Sequence, residues 1–225
     1  MVNSFAYATL RNAANANEGK GPVYGDYALQ KFEDGSDPDL YPVNDPLRTL
    51  INKNAPMMSH NLSVSGGTDK IKYFVSGGTN YQDGIFYHSA NYYKQVDFRS
   101  NIDANVSRDI HLSIDLSGGQ QDAHYPGTGI GGGALNTWWA LNRQYPYLPA
   151  YWPNGMPGPD VEYGQNPVLT TTNATGYQLD RTYLLQSNVK FDIKIPWVEG
   201  LSITGNVAYD KTILNHKQWE KPWYV

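Results

Sequence analysis

The chain has 225 residues, enough for one substantial core or two small ones, and a formal net charge of -4 that offers no basic field for nucleic-acid phosphates. With no cysteine, disulfide staples and thiolate metal sites are excluded. Charged residues are 17%, below the roughly 25% of an average soluble domain, and 18 tyrosines outnumber phenylalanine and tryptophan together, a composition suited to interfaces and to sugar or headgroup contact.

In chain order, Val2-Asn3-Ser4 opens onto a polar, Ala/Asn-rich stretch without the pattern of a signal peptide. Val2, Phe5, Ala6 and Leu10 have helical spacing that stops near Gly19, and a second short helix is expected over 24–33. Asp34 to Asp39 is turn-rich and acidic, and a third helix is expected with Asp45 as N-cap and Pro46 at its first position. Residues 1–58 thus read as a partly helical elaboration that shares its packing with something else. No window suits a membrane helix: the most uncharged, 125–142, is broken by Pro126 and a cluster of glycines. Barrel strands give only a weak hydropathy signal, so a membrane stays open.

Strands begin near Asn61, and a turn at Gly66 to Lys70 leads to a second strand with Ile71, Tyr73, Val75, Thr79 and Tyr81 on one face. The third strand is the clearest, with Val96, Phe98, Ile102, Ala104 and Val106 on one side and Gln95, Asp97, Arg99, Asn101, Asp103 and Asn105 on the other. After Ser107-Arg108-Asp109 a fourth resumes with Ile110, Leu112, Ile114 and Leu116 against His111, Ser113 and Asp115. A long Gly/Pro/aromatic segment, 119–180, precedes a fifth strand over 185–195, the turn 196–200, and a sixth strand whose Ile203, Val207 and Tyr209 oppose Thr204, Asn206 and Asp210. Such length, with one face polar nearly throughout, suits a transmembrane barrel with lipid outside and a wet lumen inside. Connections alternate short and long, as in up-and-down barrels with tight periplasmic turns and long outer loops. The expected fold is an all-β, antiparallel, up-and-down transmembrane barrel segment of about six strands over 59–225, with 1–58 and 119–180 outside. Six strands cannot close a membrane barrel of at least about eight, so the sequence reads as a fragment.

The run His60-Asn61-Leu62-Ser63-Val64-Ser65-Gly66-Gly67-Thr68-Asp69-Lys70, then Tyr73 to Gly78, Gln82-Asp83-Gly84-Ile85 and Arg99 to Asp103, resembles the SusC/RagA family of TonB-dependent outer-membrane transporters. Gly35 to Pro42, Gln165-Asn166-Pro167 and Glu199 to Gly205 are similar too, so the likeness runs along nearly the whole chain. Asp45-Pro46 departs from it, where an Asp-Trp pair would be expected. The resemblance implies a plugged barrel of about 22 strands in the outer membrane of a Gram-negative, Bacteroidota-type bacterium. It further implies energising by the TonB complex through an N-terminal part absent from this sequence, a SusD-like surface lipoprotein as lid, and oligosaccharide or peptide cargo. No enzymatic activity and no cofactor are implied.

Among candidate sites, the outer-loop rings Trp138, Trp139, Tyr145, Tyr147, Tyr151 and Trp152 are the expected cargo contacts, since rings stack on sugar faces; the plainer reading is that they pack the loop itself or the lid. Asp97, Arg99, Asn101, Asp103 and Asp115 are expected to line the lumen rather than to form a glycosidase pair. Tyr81, Tyr87, Tyr92 and Tyr93 read as interface-girdle residues. Gly127 to Gly132 has GxGxxG spacing, but the strand before it alternates and no parallel partner follows, so a loop is expected rather than a dinucleotide site. Asp34, Asp37 and Asp39 lack the spacing of a calcium loop, and the five histidines show no metal-ligand spacing. The competing architecture is a soluble β-sandwich that binds carbohydrate through the aromatic loop.

Overall fold

A computed structural model gives the fold; it describes residues 2–45, 48, 50–86, 88–127, 134–159 and 166–222, with 134–137 as backbone only. Helix α1, Ser4–Asn17, is capped by Asn3, whose side chain accepts from the Ala6 amide at 2.9 Å. Helix α2, Asp26–Asp34, ends on Gly35 in the left-handed region at φ 64°, a conformation glycine adopts without a Cβ penalty. At the expected third helix, the Asp45 carboxylate accepts from the Arg48 amide at 3.3 Å, as an N-cap does, while Pro46 lies outside the described residues.

The strands β1 (Met57–Gly67), β2 (Ile71–Asp83), β3 (Tyr92–Asn105), β4 (Ile110–Pro126), β5 (Gly176–Lys194) and β6 (Ser202–Glu220) form one antiparallel sheet in sequence order. The described strands make a single sheet, so the two facing sheets of a sandwich are not what this sequence builds. β1, β4, β5 and β6 run further toward the loop end than alternation alone indicates, leaving 127–175 as the long connection. The reason is chemical: beyond Gly118 the side that was apolar turns to Gln120, Asp122 and His124, and the period vanishes although the ladder continues.

Register fixes the faces, because directly opposed residues in an antiparallel pair share a side. Ile102 faces Ile114, which faces Val189, which faces Val207, and Tyr73 completes the row on β2. The other side carries Asp103, Ser113, Lys190 and Asn206 in one row and Asn101, Asp115 and Asn188 in the next. The aliphatic residues are open rather than packed in a core, with Val207 64% and Leu62 75% exposed. Three rings on the apolar side cover a directly opposed glycine: Tyr73 lies over Gly66, Phe98 over Gly118 and Phe191 over Gly205.

A packed core does exist, but at the loop end, where Leu50, Phe86, Leu141 and Val168 are buried together with Trp138 and Ile51 against them. Leu141 comes from helix α3, Ala134–Arg143, and Val168 from the short helix α4, Pro167–Thr170, whose Asn166 cap accepts from the Val168 amide at 2.9 Å. The segment before β1 closes on this core: Ile51 bridges Phe86, and the buried Ser4 hydroxyl lies 2.7 Å from the carbonyl oxygens of both Pro42 and Pro146.

Candidate functional site

The polar face is a continuous lattice of side chains. Asp97, Arg99, Asn101 and Asp103 leave β3 on the same side as Asp115 of β4. Asn101 donates to Asp115, Ser113 donates to Asp103 at 3.1 Å, and the His111 ring lies 3.3 Å from the same Asp103 carboxylate. On the neighbouring strands Thr204 donates to Asp192 at 2.5 Å, with Lys190 3.9 Å from that carboxylate. A hollow of about 360 Å³ opens among Arg99, Asn101, Asp115, Gln186, Asn188 and Asp210. Asp103, Asp115 and Asp192 are each engaged by an amide, hydroxyl, imidazole or ammonium neighbour, so they form a mixed-charge polar surface rather than an isolated acid/base pair.

The six loop rings separate into different environments. Tyr145 stacks on Tyr147 with centroids 5.2 Å apart, and Tyr7 of α1 joins them at 6.0 and 5.4 Å. Tyr24 extends the group, 6.5 Å from Tyr147. Burial, reinforced by the neighbouring phenols, holds the Tyr147 hydroxyl above its ordinary titration range, and burial does the same to Tyr24. Trp138 instead turns into the core, edge-on to Phe86 at 5.3 Å. Trp139 is 56% exposed with the Arg143 guanidinium 5.2 Å from its ring. Tyr151 and Trp152 are exposed on a small loop closed by the Trp152 amide bonding to Met156.

Spacing alone gave no sign of the partners Tyr7 and Tyr24, which are more than a hundred residues from Tyr147 in sequence. It placed Tyr81 and Tyr92 near strand ends as girdle residues, but not the band they form with His124 and Tyr177 on the apolar side of the outer strand ends. Tyr81, Tyr92, His124 and Tyr177 stack in succession at 6.3, 4.9 and 5.9 Å, with Lys217 5.3 Å from the last ring. Tyr93 is not in this band: one residue on from Tyr92, it leaves on the polar side and its hydroxyl bonds Gln95 at 2.8 Å. Tyr87 and most of the glycine run, 128–132, lie outside the described residues. Asp34 and Asp37 accept from the amides of Ser36 and Leu40, ordinary turn contacts, and among the described residues no group of ligand side chains has the arrangement of a metal site.

Long antiparallel strands joined in order, with tight turns at one end, long packed loops at the other and opposed apolar and polar faces, define this chain as a wall segment of an up-and-down transmembrane β-barrel. The chain is similar to a TonB-dependent receptor and to the RagAB peptide transporter. No family model matches the sequence. A TonB-dependent receptor, P3, of Formosa agariphila is 23% identical over 190 residues, covering 82% of this chain and 15% of that protein. Two solved structures of RagAB, described as a peptide importer and as a peptide transporter, superpose with TM-scores of 0.65 and 0.61 at 18% and 20% identity. They cover 99% and 94% of this chain, which spans 26% and 25% of theirs. At such identity the structural likeness establishes the fold.

Proposed function

We propose that this chain forms barrel wall and outer loops of a TonB-dependent transporter that imports oligopeptides or glycans across the outer membrane of a Bacteroidota-type bacterium with a SusD-like lipoprotein lid. The observation that carries this reading is the sorting of faces across all six strands: aliphatic rows run through Ile102, Ile114, Val189 and Val207, and polar rows through Asp103, Asp115 and Lys190. In this reading the first set meets acyl chains, and Asp97, Arg99, Asn101, Asp103 and Asp115 line the lumen. Among the loop rings, Tyr145, Tyr147, Trp139, Tyr151 and Trp152 are the candidates for cargo or lid, while Trp138, packed against Phe86, holds the loop together. No catalytic role is assigned, which accords with relatives described as receptor and importer.

The test is a charge scan of both faces in the full-length protein. Ile102→Arg or Val189→Arg is expected to cost about 2–4 kcal/mol at mid-membrane and to abolish heat-resistant, detergent-stable barrel on gels. Ser113→Arg, on the opposite face, is expected to assemble. Equal assembly of all three variants would overturn the assignment of faces.

A further inference from the structure

The apolar face has an outer boundary that is cationic, and it is built differently from the rest of the sheet. Between the turn end and Gly118 this face carries only uncharged side chains, in rows such as Ile102-Ile114-Val189-Val207. Its charged residues, Asp83, Lys94, Asp122, Arg181, Lys211 and Lys217, all lie at or beyond the level of Gly118, toward the loop end. A strand crosses the hydrocarbon in about 9–11 residues, so Ile110 to Gly118 spans most of it and the next rows fall at headgroup height.

At that height one residue is pinned and others are open. Arg181 meets Asp122 through Nε at 2.7 Å and Nη2 at 3.1 Å, and Gln120 donates to the same carboxylate at 3.0 Å. This pair fixes the guanidinium plane, and the Tyr183 side chain also engages the guanidinium. Lys94 stands directly opposite Asp122 on the neighbouring strand and is exposed. A groove of about 530 Å³ runs from Lys94, Gln120 and Asp122 to Val96, Phe98 and Tyr183, polar at its outer end and apolar toward the membrane centre. That is the shape of one amphiphile: an anion at the top and a chain below.

We propose that this groove binds a lipid of the outer leaflet through its phosphorylated headgroup. Lys94 and the oriented Arg181 contact the phosphate, Lys217 reinforces the local field, and the first methylenes of an acyl chain lie over Val96 and Phe98. Charge complementarity selects the occupant: with Arg181 and Asp122 cancelling as a pair, Lys94, Lys211 and Lys217 face only Asp83 along this boundary, so an anionic headgroup is favoured over a zwitterionic one. The inference rests on the apolar face being the lipid-facing one.

The experiment is lipid retention by the full-length protein in nanodiscs of phosphatidylcholine doped with phosphatidic acid, read by native mass spectrometry. Phosphatidic acid should be enriched on the protein relative to the bulk mixture, and Lys94→Gln with Lys217→Gln should lower that enrichment about tenfold. Arg181→Gln alone strands Asp122, so it is made together with Asp122→Asn, which keeps a hydrogen-bonded pair; it too should lower enrichment. Lys72→Gln, on the polar face, should not. Protein that enters nanodiscs but shows no enrichment, or enrichment indifferent to the Lys94 and Lys217 changes, overturns the lipid site and leaves the barrel reading standing. Displacement of the lipid by millimolar inorganic phosphate also overturns it, since the site would then take a free anion. Failure to enter nanodiscs at all sinks the barrel reading instead, and the lipid site with it.

Discussion

Ser4 shows how far single side chains govern the loop end. Its one hydroxyl hydrogen faces the carbonyl oxygens of Pro42 and Pro146, both at 2.7 Å, and its oxygen accepts from the Asn44 amide at 3.2 Å. Removing the hydroxyl takes its donor from the Pro42 carbonyl, while Pro146 keeps the Asn44 amide at 3.2 Å, so Ser4→Ala is expected to destabilise the packing of α1 on the long loop by about 1–3 kcal/mol, read as faster limited proteolysis within 127–175 while the barrel band on gels persists. A second expectation concerns Tyr24 and Tyr147. Burial favours their neutral phenols, so the stability they contribute is complete below the ordinary tyrosine value of about 10 and is lost as pH rises through their higher folded values. In an alkaline titration followed by tyrosinate absorbance, Tyr147→Phe should delete a late-ionising component, and loss of an early one instead would contradict the burial. At this scale little was legible beforehand. The rings of the loop were visible as a composition, but contact between Tyr147 and Tyr7 depends on how two chain segments close on each other, which no local period encodes.

At the level of elements the sequence spoke more clearly, because a strand with unlike faces writes itself in twos. The faces of Gln95 to Asn105 and Ile110 to Leu116 stand in the structure as alternation placed them. It failed past Gly118, where both sides are polar, so the extensions of β4 to Pro126 and β6 to Glu220 left no periodic trace. Within the strands the covered glycines matter most. Phe191 lies over Gly205, leaving no room there for a Cβ. Gly205→Val should therefore displace the ring and cost about 1–3 kcal/mol, and Phe191→Ala, which bares the glycine, up to about 1 kcal/mol. Both are measured as a lowered temperature of barrel unfolding on heat-modifiable gels, with the glycine change expected to be the larger.

For the molecule as a whole, β1 and β6 are edges whose outward ladder groups have no partner strand among the described residues. Expressed by itself without detergent, this chain should associate rather than stay monomeric, as light scattering would report; a cooperative, soluble monomer would contradict the membrane reading. The six strands also differ in length, rising from 11 residues in β1 to 19 in β5 and β6 while sharing one row of tight turns. With roughly 3.3 Å per residue, the late strands are long enough, on the proposed membrane reading, to climb past the bilayer and carry their upper halves into water. On that reading a single strand such as β6 has two solvents along its length. Deuterium should enter the amides near Gln218 long before those near Asn206, so that the depth of immersion can be read directly as a gradient of exchange along one continuous ribbon.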